Sequence, residues 1–284
     1  MGLVENLIGA RQPEPTGTEF MNFQLGFEEN SEIRDLTISD DTIGYHMQLG
    51  IEIGTLESFF SFQKQSLGSA KQTEIRFDID KTSWEFLADI AFEAAEVRVS
   101  EQGKADESGG WRALSVRAIQ RSNLMDSVLR FVAPKKLVTN ARIGNRTIVH
   151  ERRNRYHQYP ADTVDLLLRS GSVLRFTPEE SHLPRGFISV VYLRDEPEDW
   201  ILHFRALAAT PSEFTLKGCV PWYNRPLPPL LQSFVFSAFP ALRSKLLFVR
   251  ERVSQRIPIQ VNGAATIEAN ETLSLSVRWT IENA

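Results

Sequence analysis

Residues Ile43 to Gly54 alternate without a break between large apolar side chains and small or polar ones. Ile43, Tyr45, Met47, Leu49, Ile51 and Ile53 form one set, and Gly44, His46, Gln48, Gly50, Glu52 and Gly54 the other. A period of two places each set on one face of an extended strand. At about 3.3 Å per residue the run reaches roughly 40 Å, long for a strand in a flat sheet. The glycines on its second face predict a bend, or close approach by another layer. Long, bent strands belong to barrels and strongly coiled sheets.

The same period recurs along the chain. Phe23, Leu25 and Phe27 share a face, as do Leu36 and Ile38, and then Ile75, Phe77 and Ile79. Trp84, Phe86, Ala88, Ile90, Phe92 and Ala94 alternate in turn, and a bulge near Ala95 is expected to pass the apolar register to Val97 and Val99. The stretch Gly103–Gly110 reads as a loop closing a hairpin onto Trp111–Ile119. Turn signals at Gly144-Asn145, Ser170-Gly171, the acidic run 195–199 and Asn262-Gly263 predict further hairpins. No βαβ rhythm and no fixed-period repeat is present. The expected fold is all-β, either barrel-like or a coiled two-sheet sandwich, with two or three short helices.

The helices are expected in three places. Leu3, Val4, Leu7 and Ile8 suit a small amphipathic arm in residues 1–16, ended by Pro13 and Pro15. Ser122 can cap a helix over Asn123–Val132, with Leu124, Val128, Leu129 and Val132 at helical spacing and Pro134 as the stop. The third is in Lys217–Arg256, which holds the only cysteine and in which Arg225 is the only charge between Lys217 and Arg243. There an apolar piece precedes Pro240 and an amphipathic, basic one follows it, so residues 225–254 read as a helical plug or lid. The helix before Pro134 suggests two β-rich halves, 17–121 and 122–284; one continuous domain, 17–284, is the alternative.

Composition excludes several classes. The chain has 284 residues, 42% apolar and 24% charged, with a net charge of −4. That argues against disorder and against a general nucleic-acid binder, which needs a basic excess. Eighteen Phe against five Tyr suits a thick core or an apolar cavity. The lone Cys219 excludes an internal disulfide and fits a reducing compartment. No secretory leader is legible, Asn6 spoils a myristoylation signal at Gly2, and prolines break the longest uncharged run, 226–242. A cytoplasmic protein is expected, with no transmembrane segment; peripheral membrane contact and an oligomer stay open.

Motifs for catalysis are sparse. Nucleophile elbows, glycine-rich phosphate loops and P-loops are missing, so no cofactor is expected. Glu179 and His182 form Glu-x-x-His without a third ligand, so no metal is expected either. The polar stretch 142–160 carries five arginines with His150, Glu151 and His157. Arginine offers a planar fork to carboxylate or phosphate, and histidine can pass a proton near neutrality. The competing reading is a solvated hairpin whose arginines pair with neighbouring carboxylates. In Ile201–Arg205, His203 and Arg205 share the face opposite Leu202 and Phe204.

The candidate acid–base residues are therefore His150, His203 and Glu151. The candidate ligand contacts are Tyr45, Trp84, Arg205, Trp222 and Tyr223. The expected function is enclosure of a mainly apolar small molecule, with an anionic group as an option. The protein acts either as a carrier or as a cofactor-independent isomerase, cyclase or lyase working by shape and one acid or base. The alternative is a structural or interaction protein that uses 225–254 as an oligomer or partner interface.

Overall fold

The computed structural model describes residues 23–30, 33–40, 45–55, 59–61, 69–77, 82–92, 95–149, 155–208 and 264–282. The expected arm at 1–16, the helical segment 225–254, Cys219 and the Asn262-Gly263 turn lie outside the described residues.

Within them the chain forms strands and no helix. The first half supplies β1 (Phe23–Asn30), β2 (Ile33–Asp40), β3 (Tyr45–Gly54), β4 (Phe59–Ser61), β5 (Ser69–Phe77), β6 (Ser83–Ala91), β7 (Glu96–Asp106) and β8 (Gly109–Ala118). Next come β9 (Ser122–Leu124), β10 (Asp126–Pro134), β11 (Val138–Ile143), β12 (Arg146–Ile148), β13 (Arg155–Pro160) and β14 (Val164–Leu168). The last are β15 (Val173–Pro178), β16 (Phe187–Asp195), β17 (Asp199–Ala208), β18 (Ala265–Ile267) and β19 (Thr272–Glu282).

These strands build two large antiparallel sheets. The 8-stranded sheet runs β1-β2-β3-β10-β17-β16-β13, with β4 beside β3; the 9-stranded sheet runs β12-β11-β14-β15-β19-β8-β7-β6-β5. A small ribbon, β18-β9, completes the pairing. Among the described residues neither large sheet closes on itself, so their architecture is sandwich-like and not a closed barrel. Each large sheet takes strands from both sides of residue 121.

The alternating residues of the sequence meet between the sheets. Met47, Leu49, Ile51 and Ile53 of β3 join Leu129 and Phe131 of β10, and Leu202 and Phe204 of β17, in one buried cluster. The opposite wall is Phe86, Val99, Leu114, Val116, Phe176, Leu275 and Trp279. Phe131 links the walls, its ring 4.9 Å from Phe176 and 5.9 Å from Trp279, both edge-on. Edge-to-face pairs of this kind add to the burial of large aromatic surface.

One polar group crosses this core. The Arg112 guanidinium, from β8, donates to Glu101 Oε1 at 2.7 Å and to two main-chain carbonyls of the facing sheet, Arg130 at 2.8 Å and Gly50 at 3.0 Å. Its plane stands 5.0 Å from the Phe131 ring. Trp84 donates its indole N–H to the same Glu101 oxygen at 3.0 Å. Registers explain the assembly: Trp84, Gly103, Arg112 and Val277 are successive cross-strand partners. Because Gly103 has no side chain, the Trp84 ring lies over it toward Arg112, and a Cβ there would overlap the ring. Arg112 therefore pins the two sheets through a buried charge whose three nitrogens all donate.

Three local expectations are corrected. Asn123–Val132 is not a helix but the end of β9 and most of β10. Strand β10 is apolar on both faces, with Leu129 and Phe131 in the core and Val128 and Val132 buried behind it. Two apolar faces erase the period of two and leave a pattern that fits helical spacing. Near Ala95 the chain does not bulge; it reverses, with Phe92 N–H bonded to Ala95 C=O at 2.7 Å and Ala91 paired with Glu96. Alternation carries on in both strands, so the pattern alone hides the reversal. Finally, most of 103–110 is strand, and β7 and β8 pair out to Asp106 and Gly109.

Other expectations hold. Residues Gly144 (φ 52) and Gly171 (φ 98) take the left-handed conformation in the turns joining β11 to β12 and β14 to β15. Strands β16 and β17 pair across the acidic run, as the sequence predicts.

Candidate functional site

The structure separates the candidate residues. Trp84 stands in the core with its N–H on Glu101. Tyr45 is also buried on the inward face, paired across strands with Asp40. Burial, then the charges of Asp40 and Asp106, push its phenol well above the ordinary range, so it stays a neutral hydroxyl. His203 and Arg205 lie instead on the outer face of the 8-stranded sheet, opposite the core side of β17. His150, Glu151, Trp222 and Tyr223 lie outside the described residues.

Around His203 and Arg205 the register assembles a polar cluster. Gly50, Arg130, His203, Tyr192 and Gln158 follow one another across β3, β10, β17, β16 and β13. One step along the strands, Glu52, Val128, Arg205, Val190 and Pro160 form the next row. Two residues of alternation thus bring Glu52 and Asp126 beside arginines more than seventy residues away in sequence.

The cluster's hydrogen bonds divide unevenly. Arg205 donates to Asp126 through Nε, at 3.1 Å, and through Nη2, and to Gln158 Oε1 at 3.2 Å. Its guanidinium also stands 5.4 Å from the Tyr192 ring, which lies 5.4 Å from the His203 ring. Arg130 donates Nη1 to Glu52 Oε1 at 3.0 Å, and the same oxygen is 3.9 Å from His203 Nε2. Two nitrogens are left over: Arg130 Nε and His203 Nε2 are buried and have no hydrogen-bond partner among the described residues.

Burial controls the protonation here. Glu52, Arg130, His203 and Arg205 have side chains 26%, 15%, 12% and 16% exposed. Desolvation, then the charges of Arg205, Arg130 and Arg194, hold His203 well below its ordinary value, so it is neutral at pH 7. Desolvation raises Glu52, and Arg130 beside it offsets only part of that. The acid is thus moved up and the base down from their ordinary values.

The surroundings are apolar. Val128, Val132, Val190, Ile201 and Leu207, all on the outer face, are buried, yet they do not belong to the core cluster between the sheets. The cluster is thus a small polar island in an aliphatic, covered face.

Sequence reasoning found His203 and Arg205 but passed over Glu52, Arg130, Asp126, Tyr192 and Gln158. Read as helical, Asp126 and Arg130 are an ordinary pair four residues apart, and nothing draws attention to them. Glu52 carried a weak signal, a carboxylate between Gly50 and Gly54 on the second face of the longest alternating run.

Other polar groups are committed elsewhere. Asp165 sits between Arg142 and Arg175, accepting from Arg175 Nε at 2.8 Å, and the two arginines hold its carboxyl below the usual range despite partial burial. Arg142, the start of the arginine-rich stretch, is thereby paired within the outer surface of the 9-stranded sheet. Lys135 and the buried Asp195 form an ion pair under the Trp200 ring. Glu179 accepts from Ser276 and Arg278, while His182 is exposed. Among the described residues no group of three or more His, Cys, Asp or Glu is placed to hold a metal ion. Nor is any helix there long and apolar enough to cross a membrane.

No family model matches the chain, and no curated protein matches it at a significant level.

Proposed function

We propose that the protein holds a mainly apolar small molecule against the outer face of its 8-stranded sheet. In this reading His203 and Glu52 are the acid–base pair of a cofactor-independent isomerase or cyclase, and Arg205, fixed by Asp126, orients the site. One observation carries the reading: a neutral histidine and a carboxyl 3.9 Å away stand in a face of buried aliphatic side chains. A sandwich that turned this face to water would place polar residues there, as the other sheet does. Shape and a single proton transfer suffice for rearranging an unsaturated apolar molecule, which matches the lack of nucleophile and cofactor motifs in the sequence. On sequence grounds His150, Glu151, Trp222 and Tyr223 are assigned to the same ligand, with Tyr45 and Trp84 supporting the strands behind it.

Native mass spectrometry of freshly purified protein tests this directly. A bound organic molecule of constant mass, at one per chain and reduced in Val190→Asp, is the expected result. A ligand-free spectrum, with no saturable uptake of a hydrophobic dye, would sink the reading. The buried aliphatic residues Val128, Val190 and Leu207 favour a second one, in which the protein is an interaction module and 225–254 meets a partner. That reading predicts dye binding that vanishes on assembly, whereas a ligand site keeps it.

A further inference from the structure

We propose that Arg112 is a positioning residue for the outer-face cluster: from inside the core it fixes the row of main chain on which Glu52, Arg130 and His203 are aligned. The inference rests on the reading of Glu52 and His203 as the acid–base pair. Its basis is that one residue, Arg130, belongs to both polar groups of the 8-stranded sheet. On the core side its main-chain carbonyl accepts from Arg112 Nη1 at 2.8 Å; on the outer side its guanidinium donates to Glu52 Oε1 at 3.0 Å. The second carbonyl held by Arg112, that of Gly50 at 3.0 Å, belongs to the direct partner of Arg130 on β3. On its other flank Arg130 pairs with His203. Gly50, Arg130 and His203 thus form one row, and Arg112 grips two of its three members from within.

Alternation is what makes the grip possible. Arg130 and His203 turn their side chains outward, so this row presents main chain to the core, and a guanidinium can reach its carbonyls. Gly50 adds no side chain on the outer face, and Arg130 extends diagonally to Glu52, two residues along β3. The other end of the grip is equally fixed. Arg112 Nε donates to Glu101 at 2.7 Å, both side chains are almost wholly buried, and Trp84 donates to the same carboxylate oxygen. A planar guanidinium holds its donors in set directions, so three acceptors on two sheets define one placement of the row. In a core of low dielectric such charged bonds resist displacement. Glu52 and His203 lie on strands either side of β10, with Oε1 and Nε2 3.9 Å apart, and that separation follows the place of β10 between them.

The test reads the side-chain 15N resonances of Arg130 and His203 in the full chain at pH 7, with no ligand added. In Arg112→Met with Glu101→Leu, which removes the grip and leaves no buried charge behind, both resonances are expected to shift while the urea midpoint recovers. Arg112→Lys keeps a cation beside Glu101 but cannot span the three acceptors, so it should shift them too. Trp84→Phe takes a donor from Glu101 and leaves the grip in place, and both resonances should stay where they are. Unshifted resonances in the folded Arg112 variants would overturn the proposal, and Arg112 would then only tie the sheets together. Equal shifts in Trp84→Phe would overturn it as well, because any loosening of the core would then have the same effect. The readout involves no bound molecule. A ligand-free mass spectrum would therefore sink the small-molecule reading without altering this result, and unshifted resonances would sink the positioning role without altering that one.

Discussion

The outer faces of the two sheets are built on opposite terms. On the 9-stranded sheet, Arg98, Gln102, Arg117 and Arg278 are exposed and pair with Asp89, Glu85, Asn270 and Glu179. On the 8-stranded sheet, Val128, Val190 and Leu207 are buried, and the polar groups among them are desolvated. Both sheets turn a similar aliphatic and aromatic wall inward, so the difference does not arise from folding the core. One face meets solvent and the other is covered. Polar groups follow the same division. Exposed pairs can loosen without much cost, whereas Glu52, Arg130 and His203 each depend on what surrounds them.

Substitution is the most direct way to break the contrast. Val190→Asp would place a second carboxylate in a fully covered position opposite Arg205, which Asp126 already holds, and its expected cost is on the order of 3 kcal/mol or more. Ser115→Asp, on the outer face of the other sheet, should stay within about 0.5 kcal/mol. Equal denaturation midpoints for the two variants would show that the faces do not differ.

Two arginines sharpen the same point. Every guanidinium nitrogen of Arg112 donates, and Arg112→Met should cost about 3–5 kcal/mol because the buried Glu101 loses its charge partner and keeps the Trp84 N–H. Adding Glu101→Leu should restore most of that loss. Arg130→Gln, which removes an incompletely bonded arginine, is expected to cost less, on the order of 1 kcal/mol. A larger penalty for Arg130 than for Arg112 in urea titrations would reverse this assignment.

A smaller effect is set by pH. His203 has a lowered value in the fold, so the unfolded chain takes up a proton first as pH drops below the ordinary ~6.5. Stability should therefore decline from pH 7 toward pH 5, and His203→Gln should flatten that part of the profile. Glu52 acts in the other direction: its value is raised, so its favourable contribution is full at acid pH and is lost as pH rises through the folded value. A wild-type midpoint that is flat from pH 7 to pH 5, and unchanged by His203→Gln, would mean that the ring is not desolvated. The smallest effect belongs to the exposed sheet. Arg278→Ala should cost no more than about 1 kcal/mol and become silent in high salt.

Strands were legible wherever one face meets the core and the other meets polar groups or water. Trp84 to Ile90 and Leu273 to Trp279 alternate in the sequence and do so in the fold. Legibility failed at β10, the strand in the middle of the 8-stranded sheet. Burial on both faces puts apolar residues on both, here Val128, Leu129, Phe131 and Val132, and the local pattern then resembles a helix as much as a strand. The candidate site suffered for the same reason, since Arg130 and Asp126 belong to β10. His203 and Arg205 were visible because they alternate with the apolar Leu202 and Phe204 on β17.

Local sequence, then, determined the extended conformation of most of this chain and which residues face inward, because backbone pleating enforces a period of two on any strand. It also determined the tight turns at Gly144 and Gly171, where the chain needs a left-handed residue. Tertiary structure alone decided the partners. That β10 lies between β3 and β17, and β19 between β8 and β15, depends on pairings across long stretches of chain. Those registers bring Glu52, Arg130 and His203 together from three strands. No short-range pattern encodes that meeting, because a shift of one residue in either pairing would turn one of these side chains to the core.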